Sequence, residues 1–209
     1  MNYICRLLKD IDIEKVMNNK GYRYFTSGEY NINIIGVRKY NEHNLVTNMF
    51  DDAIIITYKT PANGWKKLIY PITTEPGNYY MNKQLGNPKG TAILVPNQYR
   101  GCYQLGKHNG KYKALVQVKP VQVYRDGNKD LIYDMNPENM VSGCFGINIH
   151  RSGVLYTPNK VDNYSAGCQV FQSINDYNAF IRLCEEQVKR YGNSFTYTLI
   201  EEKDLEYGK

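Results

Sequence analysis

Residues 53–70 read AIIITYKTPANGWKKLIY, and the fold class turns on this stretch. Ala53–Thr57 is too short for a helix and rich in the β-branched residues that suit a pleated surface. Leu68–Tyr70 is a second apolar run. Between them lies Asn63-Gly64, a pair that tolerates the left-handed backbone a two-residue hairpin turn demands. The signal recurs at Asn109-Gly110 and, as Asp-Gly, at Asp126-Gly127. Further strand-like segments surround Ile32, Ile34 and Val37, and fall at Thr91–Val95, Ala114–Val118, Gly146–His150 and Phe195–Ile200. Hairpin signals between short apolar runs predict a largely antiparallel β fold.

Two helices break the pattern. Residues 10–21 place Ile13, Val16 and Met17 on one face, with Asp10 as the expected N-cap and Gly21 as the stop. Ser173 followed three residues later by Asp176 opens a longer one. Its apolar face carries Tyr177, Phe180, Ile181, Cys184, Val188 and Tyr191, and Gly192 ends it, so Cys184 is expected against the sheet. Beyond Glu201 the acidic tail, 201–209, is expected to fray. At 209 residues, with no internal repeat and no Pro- or Gly-rich linker, the chain reads as one domain. Residues 1–50 are expected as an extension packed on it.

Composition narrows the function. Hydrophobic residues make up 42% and charged residues 22%, which is ordinary for a globular domain. No apolar run approaches the roughly 20 residues of a membrane span, and no apolar stretch near the N-terminus suggests an export signal. The five cysteines are scattered without a C-x-x-C pair, which disfavours a disulfide framework and a structural zinc site. A net charge of +6 favours anionic partners without requiring nucleic acid. From Glu75 to Asp126 there is no intervening acid, while eight bases alternate with six tyrosines. That pattern fits a groove for an anionic or sugar-rich polymer, and equally fits strands with Tyr inward and Lys outward.

The chemistry concentrates in GINIHRSGVLYTPNKVDNYSAGCQVF, residues 146–171. His150 ends one strand-like segment; after fourteen intervening residues Ser165-Ala166-Gly167-Cys168 leads into another. Read singly, Cys168 is a small buried hydrophobe, His150 a satisfied strand-end histidine, and Ser165 a turn cap. Read together, a thiol and an imidazole stand at the ends of two strands joined by a polar loop. Such a Cys is a nucleophile once a base takes its proton, and a His is the side chain suited to do so. Gly167 would let the backbone turn so that N–H groups converge on an oxyanion. Cys144, about 20 Å before His150 if extended at ~3.3 Å per residue, is expected in the core. His108, beside the Asn109-Gly110 turn, is expected in solvent.

The spacing H-x14-S-x-G-C resembles the signature of the L,D-transpeptidase (YkuD-like) catalytic domain, which remodels bacterial peptidoglycan. Pro71-Ile72-Thr73-Thr74-Glu75-Pro76-Gly77 is similar to the Thr-Pro-x-Gly turn of that family, and the helix and strand after the Cys follow its order. The resemblance covers roughly residues 50–200. It implies a β-sandwich or barrel in which Cys168 is the nucleophile and His150 the base, with the Arg151 carbonyl orienting the ring. Ser165 supplies a hydroxyl, and the Gly167 and Cys168 N–H groups hold the oxyanion. Ala166 stands where many members have His, and Val170 where many have Arg; Arg151 is the expected replacement cation. Arg151, Tyr164 and Gln169 are the expected substrate contacts. No metal or cofactor is implied. The expected partner is peptidoglycan, cut or cross-linked at L,D-linkages of its stem peptides; nucleic acid is not expected, and the oligomeric state is open. Without a visible export signal, a wall-degrading enzyme of the bacteriophage lysis or virion type is the expected context. The alternatives are a cross-linking enzyme and a non-catalytic wall-binding or virion structural domain.

Overall fold

A computed structural model describes residues 2–62, 64–83 and 87–209. Its longest ladder is the hairpin expected from the opening stretch: β2 (Asp52–Thr60) pairs antiparallel with β3 (Gly64–Thr73), from Asp52↔Ile72 to Thr60↔Gly64. Gly64 has φ +64° at the turn, while its companion Asn63 lies outside the described residues. The preceding strand is β1 (Asn33–Arg38). After β3 come β4 (Thr91–Leu94), β5 (Asn97–His108), β6 (Tyr112–Gln117), β7 (Val121–Asp126), β8 (Val141–Gly143), β9 (Ile149–Arg151), β10 (Gln169–Phe171) and β11 (Phe195–Glu201). Eight of these close a barrel in the order β1-β11-β5-β6-β9-β10-β3-β2, and β4-β7-β8 form a separate three-stranded sheet.

The helices are α1 (Tyr3–Leu7), α2 (Ile13–Asn19), α3 (Asn78–Asn82) and α4 (Ile174–Tyr191). As expected, the Ser173 side chain caps α4 by accepting from the Asp176 N–H, and Gly192 ends it at φ +80°. Tyr177, Phe180, Ile181 and Cys184 join the cluster formed by Ile34, Ile54, Ile72, Leu115, Ile149 and Phe171. Phe171 of β10 stacks on Phe180 with ring centroids 5.0 Å apart, so α4 braces the strand that follows Cys168. None of the described helices is long and apolar enough to cross a membrane.

Several expectations change. The fold is mainly β, but β1–β11 and β9–β10 pair in parallel. Residues 1–50 are no appendage, because β1 is a barrel stave between β2 and β11. Ile35, Val37, Ala53 and Ile55 on the outer face of β1 and β2 are covered by Ile4, Leu8, Val16 and Met17 from α1 and α2. Burial on both faces explains why residues 53–56 are uninterruptedly apolar. The cap of α2 is Asp12, accepting from the Lys15 N–H at 3.0 Å, and not Asp10. Asp126-Gly127 makes no two-residue hairpin: Asp126 is buried and accepts the Asp134 N–H, starting a longer loop to β8. The acidic tail is ordered. Glu202–Gly208 forms a 3-10 helix, with Leu205 buried and Asp204 ion-paired to Lys20 at 2.7 Å. Cys144 is exposed, not core, because the chain between β8 and β9 leaves the sheet.

Candidate active site

Strands β9 and β10 position the two candidate reactive groups. Their parallel register pairs Val170 with His150 and Gln169 with Ile149, and the Gln169 N–H donates to Asn148 O at 2.9 Å. Side chains alternate along a strand, so Cys168, two residues before Val170, falls on the same face as His150. A strand spacing of about 4.8 Å and a rise of about 3.3 Å per residue put their Cα atoms roughly 8 Å apart on the diagonal, within reach of both side chains. The seventeen residues between them thus fold back to set His150 and Cys168 on adjacent chains.

The loop before Cys168 is set by hydrogen bonds. Ser165 Oγ donates to the Cys168 carbonyl at 2.8 Å and accepts the Gly167 N–H at 3.1 Å. The Ser165 carbonyl in turn accepts the Gly77 N–H at 3.0 Å, bringing the Pro71–Gly77 segment against the Ser-Ala-Gly-Cys turn. Ser165 is completely buried and acts as the pin of this turn. Its hydroxyl and the Gly167 N–H satisfy each other, which corrects the expected oxyanion pair. The Gly167 N–H is committed, and the Cys168 N–H is the donor left to serve.

Cys168 Sγ accepts the Asn148 N–H and donates to Gly146 O, both at 3.4 Å. It is 9% exposed, packed with Phe50, Val161, Val170 and Tyr164. Burial pushes its thiol up to about 11, against the partial relief of the Asn148 N–H. His150 is 4% exposed, and its Nδ1 lies 2.8 Å from Arg151 O. A carbonyl can only accept, so Nδ1 carries the ring proton and Nε2 is left with a free lone pair. This is the orientation the Arg151 carbonyl was expected to impose. Burial first, then the neighbouring His108, lowers His150 to about 3. The resting pair is therefore a neutral thiol beside a neutral base, not a preformed thiolate–imidazolium.

The other expected contacts separate. Arg151 lies with its guanidinium 4.0 Å from the centre of the Tyr112 ring and donates to Ser152 O, at the edge of the site. Tyr164 is half-buried in the cluster around Cys168. Gln169 points into the barrel instead: it is fully buried and accepts the Tyr197 hydroxyl at 2.7 Å. Its side chain belongs to the scaffold and is out of a substrate's reach.

Three residues enter the site without having been anticipated. His108 is not in solvent, because its ring stacks on His150 with centroids 4.0 Å apart at an interplanar angle of 23°. Tyr112 places its hydroxyl 3.3 Å from His150 Nδ1. Asn148 links β6 to the site: its Oδ1 accepts the Gln117 N–H at 2.9 Å, and its Nδ2 lies 3.1 Å from His108 Nδ1. The sequence held one usable signal, the β5–β6 hairpin turn at Asn109-Gly110, whose strands carry His108 opposite Tyr112. Among the described residues no group of three or more His, Cys, Asp and Glu converges as a metal site would require. No protein-family model, curated protein or solved structure matches the chain.

Proposed function

We propose that this protein is a cysteine-dependent acyl-transfer enzyme acting on peptidoglycan stem peptides at L,D-linkages. The observation that carries the reading is the parallel β9–β10 register, with Cys168 and His150 on one face and Nε2 of His150 unprotonated. In the proposed step His150 Nε2 takes the Cys168 proton as Sγ attacks the peptide carbonyl. Because both groups are neutral at rest, transfer and attack proceed together, and a bare thiolate never stands in the apolar surroundings. The Cys168 N–H faces the developing oxyanion. His150 then returns the proton to the departing amine, leaving a Cys168 thioester. Water releases it as an acid, and an amine releases it as a new cross-link; product masses separate the two.

The near-complete burial of Cys168 favours a second reading, a wall-binding domain whose thiol is only a packing group. Purified peptidoglycan fragments incubated with the protein and with Cys168→Ala, read by mass spectrometry, decide between them. The enzyme reading expects lost D-residues, opened cross-links or new cross-links with the parent protein alone. Unchanged fragments in both, with binding retained, would overturn it in favour of the second.

A further inference from the structure

We propose that His108 is a positioning residue for the reactive pair, holding the His150 ring by stacking and fixing Asn148 through a hydrogen bond. The inference rests on Cys168 and His150 being the reacting groups. Asn148 Oδ1 is occupied by the Gln117 N–H, so its Nδ2 must be the donor toward His108 Nδ1. His108 Nε2 lies 3.2 Å from Asn109 Nδ2, so both ring nitrogens face amide donors, and a neutral ring, which keeps a lone pair, suits them as a protonated one does not. The same Asn148 offers its backbone N–H to Cys168 Sγ and its carbonyl to Gln169. His108 thus touches both halves of the pair: His150 through the ring face at 4.0 Å, and Cys168 through one intervening residue.

The stack has a chemical consequence. During the proposed step His150 becomes an imidazolium, and the π face of a neutral ring stabilises a cation lying against it. A protonated His108 would instead repel it. The titratable and charged groups facing His150 are His108 on β5, Tyr112 on β6 and Arg151 on β9, with Cys168 on the same face of the neighbouring chain ahead of β10. Arg151 is the fixed positive charge among them, and it disfavours a proton on His108, as burial does more strongly. The environment therefore keeps His108 in the state that the stack requires.

The test uses the full chain with His108→Ala, His108→Gln and His108→Phe, and follows the His150 ring nitrogens by 15N NMR across pH. The parent protein is expected to show His150 as a single Nδ1–H tautomer. His108→Ala and His108→Gln, which remove the ring, are expected to mix the two tautomers. His108→Phe, which keeps a stacked ring, is expected to retain the single tautomer. On stem peptides, Ala and Gln are expected to lower kcat about tenfold with KM unchanged. A single Nδ1–H tautomer kept in His108→Gln, or in His108→Ala where it folds, would overturn the proposal. These spectra need no substrate. An inactive parent protein with the expected spectral changes would sink the enzyme reading alone, whereas an active one with unchanged spectra would sink only the role of His108.

Discussion

A Cβ atom placed on Gly167 would lie 2.3 Å from the carbonyl oxygen of Ala92 on β4. Gly167 also sits at φ +113°, a region L side chains rarely adopt. The three-stranded sheet thus presses its backbone directly onto the residue before Cys168. Gly167→Ala is expected to cost at least 1–3 kcal/mol, roughly the strain of such a conformation, with the steric clash in addition. Urea unfolding measures this. A loss within about 0.5 kcal/mol, the range of an indifferent surface change, would show that the turn is not held against β4.

The neutral resting pair has a chemical signature. Cys144 is exposed, while Cys168 is buried with its thiol pushed up to about 11. Without substrate, iodoacetamide is expected to alkylate Cys144 first and Cys168 slowly, the latter rate climbing with pH up to about 11. Peptide mapping by mass spectrometry reads both sites. A Cys168 rate already flat between pH 6 and 8 would mean that the thiolate–imidazolium pair exists at rest, against the geometry described above.

The ordered tail should bear on stability. Leu205 is buried among residues of α1 and α2, and the Asp12 N–H donates to Gly208 O at 3.1 Å. Leu205→Ala is expected to destabilise the protein by about 2–5 kcal/mol, the usual range for emptying such a site. Thermal or urea unfolding that matches the parent protein would mean the segment contributes nothing to the barrel.

What could be read from the chain was local. Asn109-Gly110 turns where its left-handed preference says, at φ +48° and +71°, and Ser173 and Gly192 bound α4 because caps act within one turn. The parallel pairs left no such trace, since no short turn joins β1 to β11 and the pairing is won by burial across the barrel. Asp126-Gly127 misled because the Asp126 carboxylate caps a distant N–H instead of closing a hairpin. Leu205 is a single apolar residue among charges, too little to mark an ordered segment. In the site, the His150 and Cys168 spacing was legible because one loop joins them. His108 was not, being forty-two residues from the ring it stacks on and placed there only by closure of β5, β6 and β9 into one sheet.

The burial of His150 makes acid its weak point. Its ordinary value of 6.5 in the unfolded chain falls to about 3 in the folded protein. Between those values the unfolded state binds more protons, so stability falls as pH drops through that window, and the neutral ring's contribution is fully present only above about 6.5. At pH 4.5 the loss amounts to roughly 2–3 kcal/mol, about two pKa units at 1.36 kcal/mol each. Asp52, raised to about 6, and Glu75, raised to about 8, both mainly by burial, carry the opposite sign. They favour the folded state below their ordinary range and lose that contribution as pH rises through their raised values. Total stability therefore mixes the two, but both carboxylates remain in a His150→Gln variant. Subtracting the variant's urea-derived stability from the parent's at pH 7.5 and again at 4.5 isolates the histidine. The difference is expected to shrink or reverse toward the variant at the lower pH. Equal differences at both would show that the ring accepts its proton in place, and that its Nε2 lies open to water.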